Sequence, residues 1–215
     1  MKSIKRYFEE SGRHITAHQS TQLMTYYEFL IEKNRVMNLT GITDYEEAVY
    51  KHFIDSATID RLDLALEGRH VVDVGTGAGF PGMVLAVLYP DTDFTLVDSL
   101  QKRIRFLEEL QIRLGLKNVR CYHARGEDFA KKYPQAFDIG VSRAVARMEK
   151  LADFVLPLIK NGGLFIAFKG HYEAAEATSG ESRLKHYNAK TERIDRFSLT
   201  GDGENMRTLV QIRRR

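Results

Sequence analysis

Apolar positions along the chain change their period near residue 70. Before that point they recur at helical spacing. Leu23, Tyr27, Leu30 and Ile31 follow Thr16 and Gln19, the two polar ends of a capping box. Ala48, Val49, Phe53, Ala57 and Ile59 follow a second start signal at Asp44 and Glu47, and residues 37–41 between them form a turn. From His70 onward, short apolar runs alternate with helical stretches. Val71, Val72 and Val74 predict a strand that runs into glycines, followed by a helix over 83–88 that stops near Pro90. Residues 94–97 predict a second strand ending at Asp98, with Ser99 as cap of the next helix. Leu100, Ile104, Leu107, Leu110 and Leu114 give that helix its core face, and Gly115 stops it. Residues 119–123, 137–141 and 164–168 predict three more strands. A helix carrying Leu151, Ala152, Val155, Leu156 and Ile159 lies between the last two and closes at Gly162-Gly163. Residues 196–199 and 208–212 flank a turn-like Gly201-Asp202-Gly203 and predict a terminal hairpin.

Alternating strands and helices imply an α/β fold with a parallel, Rossmann-like sheet covered on both faces. The expectation is a helical N-terminal extension over 1–65 and an α/β domain over 66–215 that ends in an antiparallel hairpin. One Cys, Cys121, in 215 residues excludes a disulfide framework and a cysteine-rich zinc site. Charges at Lys2, Lys5, Arg6, Glu9 and Glu10 interrupt anything like a signal core, and no apolar run is long enough to span a membrane. The expected compartment is the cytoplasm. Lys plus Arg is 32 against 29 Asp plus Glu, a net charge of +3, which excludes a supercharged tail but leaves room for a local basic face. No histidine-carboxylate spacing suggests a metal.

The densest chemistry lies in residues 71–82, where a strand enters a turn rich in glycine and a helix leaves it. Glycines there let the backbone take positive φ and let a ligand approach it. The carboxyl end of the first strand is where an open α/β sheet places a ligand crevice. Asp98, about 20 residues on, can accept both hydroxyls of a ribose. Gly77, Gly79 and Gly82 satisfy a dinucleotide spacing, yet Asp73 and Gly75 would then interrupt the strand. The other register, Asp73-x-Gly75-x-Gly77-x-Gly79, resembles motif I of the class I S-adenosylmethionine-dependent methyltransferases. A dehydrogenase, a methyltransferase of small molecules or proteins, and a non-catalytic RNA-binding module remain alternatives on the residues alone.

Further blocks narrow the resemblance. They are Asn38-Leu39-Thr40, Lys51-His52-Phe53-Ile54-Asp55-Ser56, the glycine turn through Phe80-Pro81-Gly82, Leu96-Val97-Asp98-Ser99 with Lys102-Arg103, Phe137-Asp138, Ser142-Arg143-Ala144 and Phe168-Lys169-Gly170. In this order and spacing the chain resembles the small-subunit ribosomal RNA guanine-N7 methyltransferase G family, also called glucose-inhibited division protein B. One departure is Lys33-Asn34, where relatives commonly carry Trp-Asn; this chain has no Trp.

The resemblance implies a class I methyltransferase fold with S-adenosyl-L-methionine as cofactor and 16S ribosomal RNA, within the small ribosomal subunit, as substrate for a monomeric enzyme. It implies cofactor contacts from Asp73, Gly75, Gly77, Gly79, Phe80, Asp98, Ser99, Gly126, Glu127 and Arg143. Arg143 is also the implied catalytic residue, facing both cofactor and target base. Lys51, His52, Arg125 and Lys169 are the implied RNA contacts, and Arg103 joins them from a segment where basic residues outnumber acids. Phe80 could stack on the target base or pack the cofactor. His52 could equally be a half-buried helix histidine. Guanine N7 has a lone pair and no proton, so methyl transfer to it requires no general base.

Overall fold

The computed structural model describes residues 2–143, 146–170 and 172–215; Ala144 of the Ser-Arg-Ala block lies outside them. Five parallel strands come first in the chain: β1 (His70–Val74), β2 (Asp93–Asp98), β3 (Val119–His123), β4 (Phe137–Arg143) and β5 (Ile159–Lys169). β6 (Ala189–Ser198) and β7 (Met206–Arg214) form the closing hairpin. β7 inserts antiparallel between β5 and β6, which gives the order β3-β2-β1-β4-β5-β7-β6. Chain order reverses between β1 and β4, so the crevice opens at their carboxyl ends.

β1 and β2 are buried on both faces, as parallel strands must be when helices cover the sheet. Val71, Phe94 and Leu96 face one apolar layer, while Val72, Val74 and Val97 face the other. The first layer holds α1 (Ile4–Glu10), α2 (Ala17–Met37), α5 (Gly82–Leu88) and α6 (Gln101–Leu114). Leu23, Tyr26 and Phe29 of α2 share one cluster with Met83, Phe106 and Leu107. The second layer holds α7 (Gly126–Lys132), α8 (Met148–Val155) and α9 (Ala174–His186). Between α2 and β1 the chain coils through α3 (Tyr45–Ala48), a π-helical stretch (Val49–Ile54), α4 (Asp55–Ala57) and a 3-10 turn (Thr58–Leu62). Among the described residues, no helix is long and apolar enough to cross a membrane.

Local signals landed where they were read. Thr16 and Gln19 close a reciprocal capping box, Asp44 accepts from the Glu47 N–H, and Gly115 ends α6 at φ +67. Three readings change. Ser99 does not cap α6, which starts at Gln101 without a side-chain cap; Asp98 Oδ1 accepts from the N–H of Leu100, the residue just before it, at 2.9 Å. Ile159 belongs to β5, because the helix ends at Val155 and a 3-10 turn around Pro157 follows. Gly162-Gly163 is a bulge inside β5, where pairing with β4 shifts register between Phe137 and Ile139. α9 carries no clear apolar period: its sequence is mostly polar, and Leu184 is the buried large apolar side chain among its described residues.

A Cβ at Gly82 would collide with Leu96 Cδ2 and lie 2.8 Å from Asp73 Oδ2. Gly82→Ala is therefore expected to cost about 1–3 kcal/mol in urea unfolding. Gly41→Ala, where a Cβ meets nothing within 4 Å, should stay within about 0.5 kcal/mol of the parent.

Candidate functional site

The turn after β1 is held from beneath. Gly75 and Thr76 N–H groups donate to Val97 O at 2.8 and 3.1 Å, and Gly77 N–H donates to Asp98 Oδ2 at 2.9 Å. Gly75 and Gly77 have φ of +74 and +62, a region that side chains disfavour. A Cβ on Gly77 would face open space. The result is a strip of bare backbone on the floor of a cavity of about 530 Å³.

Gly75, Gly77, Phe80, Asp98, Ser99, Arg103, Arg125, Gly126, Glu127 and Arg143 all line this cavity. Asp98 is buried and also accepts from Arg103 Nη1 at 3.2 Å. Gly126 and Glu127 open α7 across from it, with Arg125 and Glu127 exposed at the rim.

Two motif positions stand behind the cavity and do not line it. Asp73 is fully buried and its Oδ2 accepts from the Gly82 N–H at 2.8 Å, so it ties the turn to α5. Burial raises its carboxyl to about 6, against the opposing pull of the Thr76 hydroxyl and the Gly82 N–H. Gly79 has φ +100, and a Cβ there would lie 2.5 Å from Tyr26 Oη and 2.8 Å from Met83 Cβ. Its smallness serves the packing of α2 and α5.

Phe80 lies between two rings. Tyr26 stacks at 5.2 Å and 4°, and His52 at 4.3 Å and 16°. Both faces are filled, so Phe80 is not free to stack on a base. The Arg143 guanidinium lies 5.0 Å from its centroid.

His52 sits on the π-helical stretch, a wider turn of the kind often found at functional sites. Arg143 Nη2 approaches His52 Nδ1 at 3.4 Å, and His52 Nε2 is 2.9 Å from Thr40 Oγ1. Arginine can only donate, so Nδ1 is the acceptor and Nε2–H donates to Thr40. Thr40 is held in turn by Asn34, whose Oδ1 accepts from the Leu39 and Thr40 N–H groups at 2.6 and 2.9 Å. Burial, then the Arg143 charge, pushes His52 down to about 3. Lys33, at the departure from the family pattern, pairs with Glu109 of α6 at 2.5 Å.

Arg143 Nη1 donates to Lys51 O and Asp55 Oδ2, both at 2.9 Å. Arg143 and His52 form a wall shared with a second cavity of about 340 Å³, where Lys51 and Lys169 lie. Neither lysine lines the first cavity. Lys169 is nearly enclosed and donates to Ala146 O and Glu176 Oε1 at 2.6 and 2.7 Å, so it is no free cation. Lys51 pairs with Glu47. Thr40 and Asp55 stand in the sequence blocks without a role, and no sequence signal marks Tyr26, Phe154, which lines the first cavity, or Arg207, which lines the second.

Residues 19–205 match the family model described as GidB, rRNA small subunit methyltransferase G. The chain is 44% identical over 205 residues to the "Ribosomal RNA small subunit methyltransferase G" of Lachnoclostridium phytofermentans, covering 94% of this chain and 84% of the relative. It is 39% identical over 206 residues to the protein of that name from Oceanobacillus iheyensis, covering 95% and 86%. Among solved structures, a SAM dependent methyltransferase from Aquifex aeolicus superimposes with a TM-score of 0.57 at 15% identity, covering 79% of this chain and 93% of that one. This last likeness shows the class I methyltransferase fold.

The His52 ring is expected to stay neutral from pH 8 down to about 4, read as a C2–H resonance that does not shift over that range in NMR titration. The unfolded chain takes up this proton near pH 6.5 and the folded chain only near 3. His52 therefore removes stability as pH falls between those values, and His52→Gln should flatten that part of the profile.

Proposed function

We propose, from the premise that the chain belongs to the rRNA small subunit methyltransferase G (GidB) family, that it transfers the methyl group of S-adenosylmethionine to guanine N7 in 16S ribosomal RNA. The cleft at the ends of β1 and β2 carries this reading: bare backbone at Gly75 and Gly77 beside the end-on carboxylate of Asp98. These groups fit a nucleoside. A ribose diol needs two acceptor positions on Asp98. Two are committed to the Gly77 and Leu100 N–H groups, and a third is taken by Arg103, whose half-exposed side chain can swing away. The Gly126–Glu127 edge faces the adenine end, and Ser99 lines the same cleft.

Bound S-adenosylmethionine supplies a sulfonium methyl for in-line displacement. The protein's part is alignment, because N7 has no proton to remove. His52 fits that division of labour: its Nδ1 accepts from Arg143 and its Nε2–H donates a hydrogen bond to Thr40 Oγ1, so neither nitrogen is poised as a base. Arg143 is the catalytic residue in this reading. Asp55 and Lys51 O fix its Nη1, and its guanidinium stands between the cofactor cleft and the second cavity. Arg103 and Arg125 at the rim meet the RNA backbone, which makes binding salt-sensitive. The assembled small subunit is the working substrate, the enzyme acts as a monomer, and its compartment is the cytoplasm.

Asp98→Ala removes two hydrogen bonds to a charged acceptor, at about 1.5 kcal/mol each, so donor affinity in calorimetry should fall by about 100-fold. Mass spectrometry of ribosomal RNA from cells with and without the gene should show one N7-methylguanine appear and disappear with it. Absence of donor binding by the parent chain, or transfer of labelled methyl to a small metabolite with ribosomal RNA inert, would overturn the reading.

A further inference from the structure

The position of one proton on His52 fixes what the Thr40 hydroxyl can do. Burial keeps the ring neutral, so one nitrogen carries hydrogen and the other is a bare acceptor. Arg143 Nη2 stands 3.4 Å from Nδ1 and has only hydrogens to offer. The ring proton is therefore on Nε2 and points at Thr40 Oγ1, 2.9 Å away. The Ile42 N–H donates to the same oxygen at 3.0 Å. A hydroxyl oxygen has two lone pairs, and both are now filled. The Thr40 hydroxyl proton is left to donate, and among the described residues nothing accepts it.

The backbone of Thr40 is committed as well. Asn34 Oδ1 accepts from its N–H and Asn34 Nδ2 donates to its carbonyl, both at 2.9 Å. The hydroxyl is thus an oriented donor on a fixed support, and it loses little freedom when it binds. Thr40 is half-buried and lines the cleft at the ends of β1 and β2. Its neighbour Leu39 packs against the apolar layer of α2, as does Phe53 beside His52. Val74 and Phe154, which crowd Gly126, belong to the layer of α7. Thr40 and Gly126 therefore reach the cleft from opposite faces of the sheet, with Asp98 also on its lining. With adenine on the α7 side and the ribose at Asp98, the amino-acid end of the donor falls to the side of Thr40. The carboxylate is the acceptor at that end, because the ammonium has no lone pair to give.

We propose, resting on the methyltransferase reading, that Thr40 is a cofactor-binding residue whose hydroxyl donates to the carboxylate of S-adenosylmethionine. The His52 Nε2–H and the Ile42 N–H aim that hydroxyl by filling its lone pairs.

The test measures two ligands by calorimetry on the full chain: S-adenosylmethionine, and methylthioadenosine, which keeps adenine and ribose but lacks the amino-acid part. Thr40→Val should bind S-adenosylmethionine about 10-fold more weakly, the loss of one hydrogen bond to a charged acceptor. Its affinity for methylthioadenosine should stay within about twofold of the parent. Thr40→Ser keeps the hydroxyl and should recover most of the affinity. Thr40→Ala takes the place of the valine variant if that chain fails to fold. Nitrogen NMR of labelled His52 in the parent should show hydrogen on Nε2 and none on Nδ1. The opposite tautomer would turn Thr40 into a donor to His52, leave it no spare proton and overturn the assignment. Equal losses for both ligands would mark a structural role for Thr40 and overturn it too, as would unchanged S-adenosylmethionine affinity in the variants. If the parent chain binds no S-adenosylmethionine, the methyltransferase reading falls and takes this proposal with it. If the parent binds it and Thr40→Val matches the parent, the Thr40 assignment alone falls.

Discussion

A buried carboxylate must be paired, and at Asp55 that requirement joins three parts of the chain. Asp55 is 5% exposed and lies in the helical run before the sheet. Its partners are Arg143 at the end of β4, 88 residues away, and Arg207 on β7, 152 residues away. Losing one partner from a buried pair costs roughly 3–5 kcal/mol, so the N-terminal helices, the parallel sheet and the terminal hairpin are held to a common geometry. The same pairing fixes the Arg143 guanidinium at the wall between the two cavities.

A second constraint reaches the wall from the opposite side. Tyr26, Phe80 and His52 form a three-ring stack that links α2, the glycine turn and the π-helical stretch. Because His52 is desolvated there, it remains neutral, and its Nδ1 can accept from Arg143. Asn34 then fixes Thr40, whose hydroxyl oxygen accepts a hydrogen bond from the other ring nitrogen. The helices before β1 thus shape the wall between the two cavities as much as the sheet does. The Rossmann-like sheet supplies the floor of the first cavity, and the helical segment supplies what faces it.

Much of this architecture was legible along the chain. The strands β1 to β3, the capping box at Thr16 and the stop at Gly115 depend on neighbours within a few residues, and those neighbours are visible in sequence. The Gly162-Gly163 bulge was read as a helix stop because glycine pairs mark both, and only pairing with β4 distinguishes them. α9 carries too few apolar positions to announce a helix; Gly180 lets Met148 approach it, a contact between α8 and α9 that no local pattern encodes. Within the motif, Gly75, Gly77 and Asp98 face the cavity as read, whereas Asp73 and Gly79 support it from behind.

The sequence by itself determined the α/β class, the glycine turn after the first strand and the carboxylate at the end of the second. These follow from short-range periodicity, backbone freedom and one fixed spacing. Tertiary structure alone decided which charges are free. Lys169 stands in sequence as a candidate RNA contact and is enclosed against Glu176, while Arg207 carries no signal in sequence and lines a cavity with its Nε held by Asp55. A charged group's availability depends on what lies within a few ångströms of it, and for both residues that neighbourhood is assembled from elements far apart in the chain.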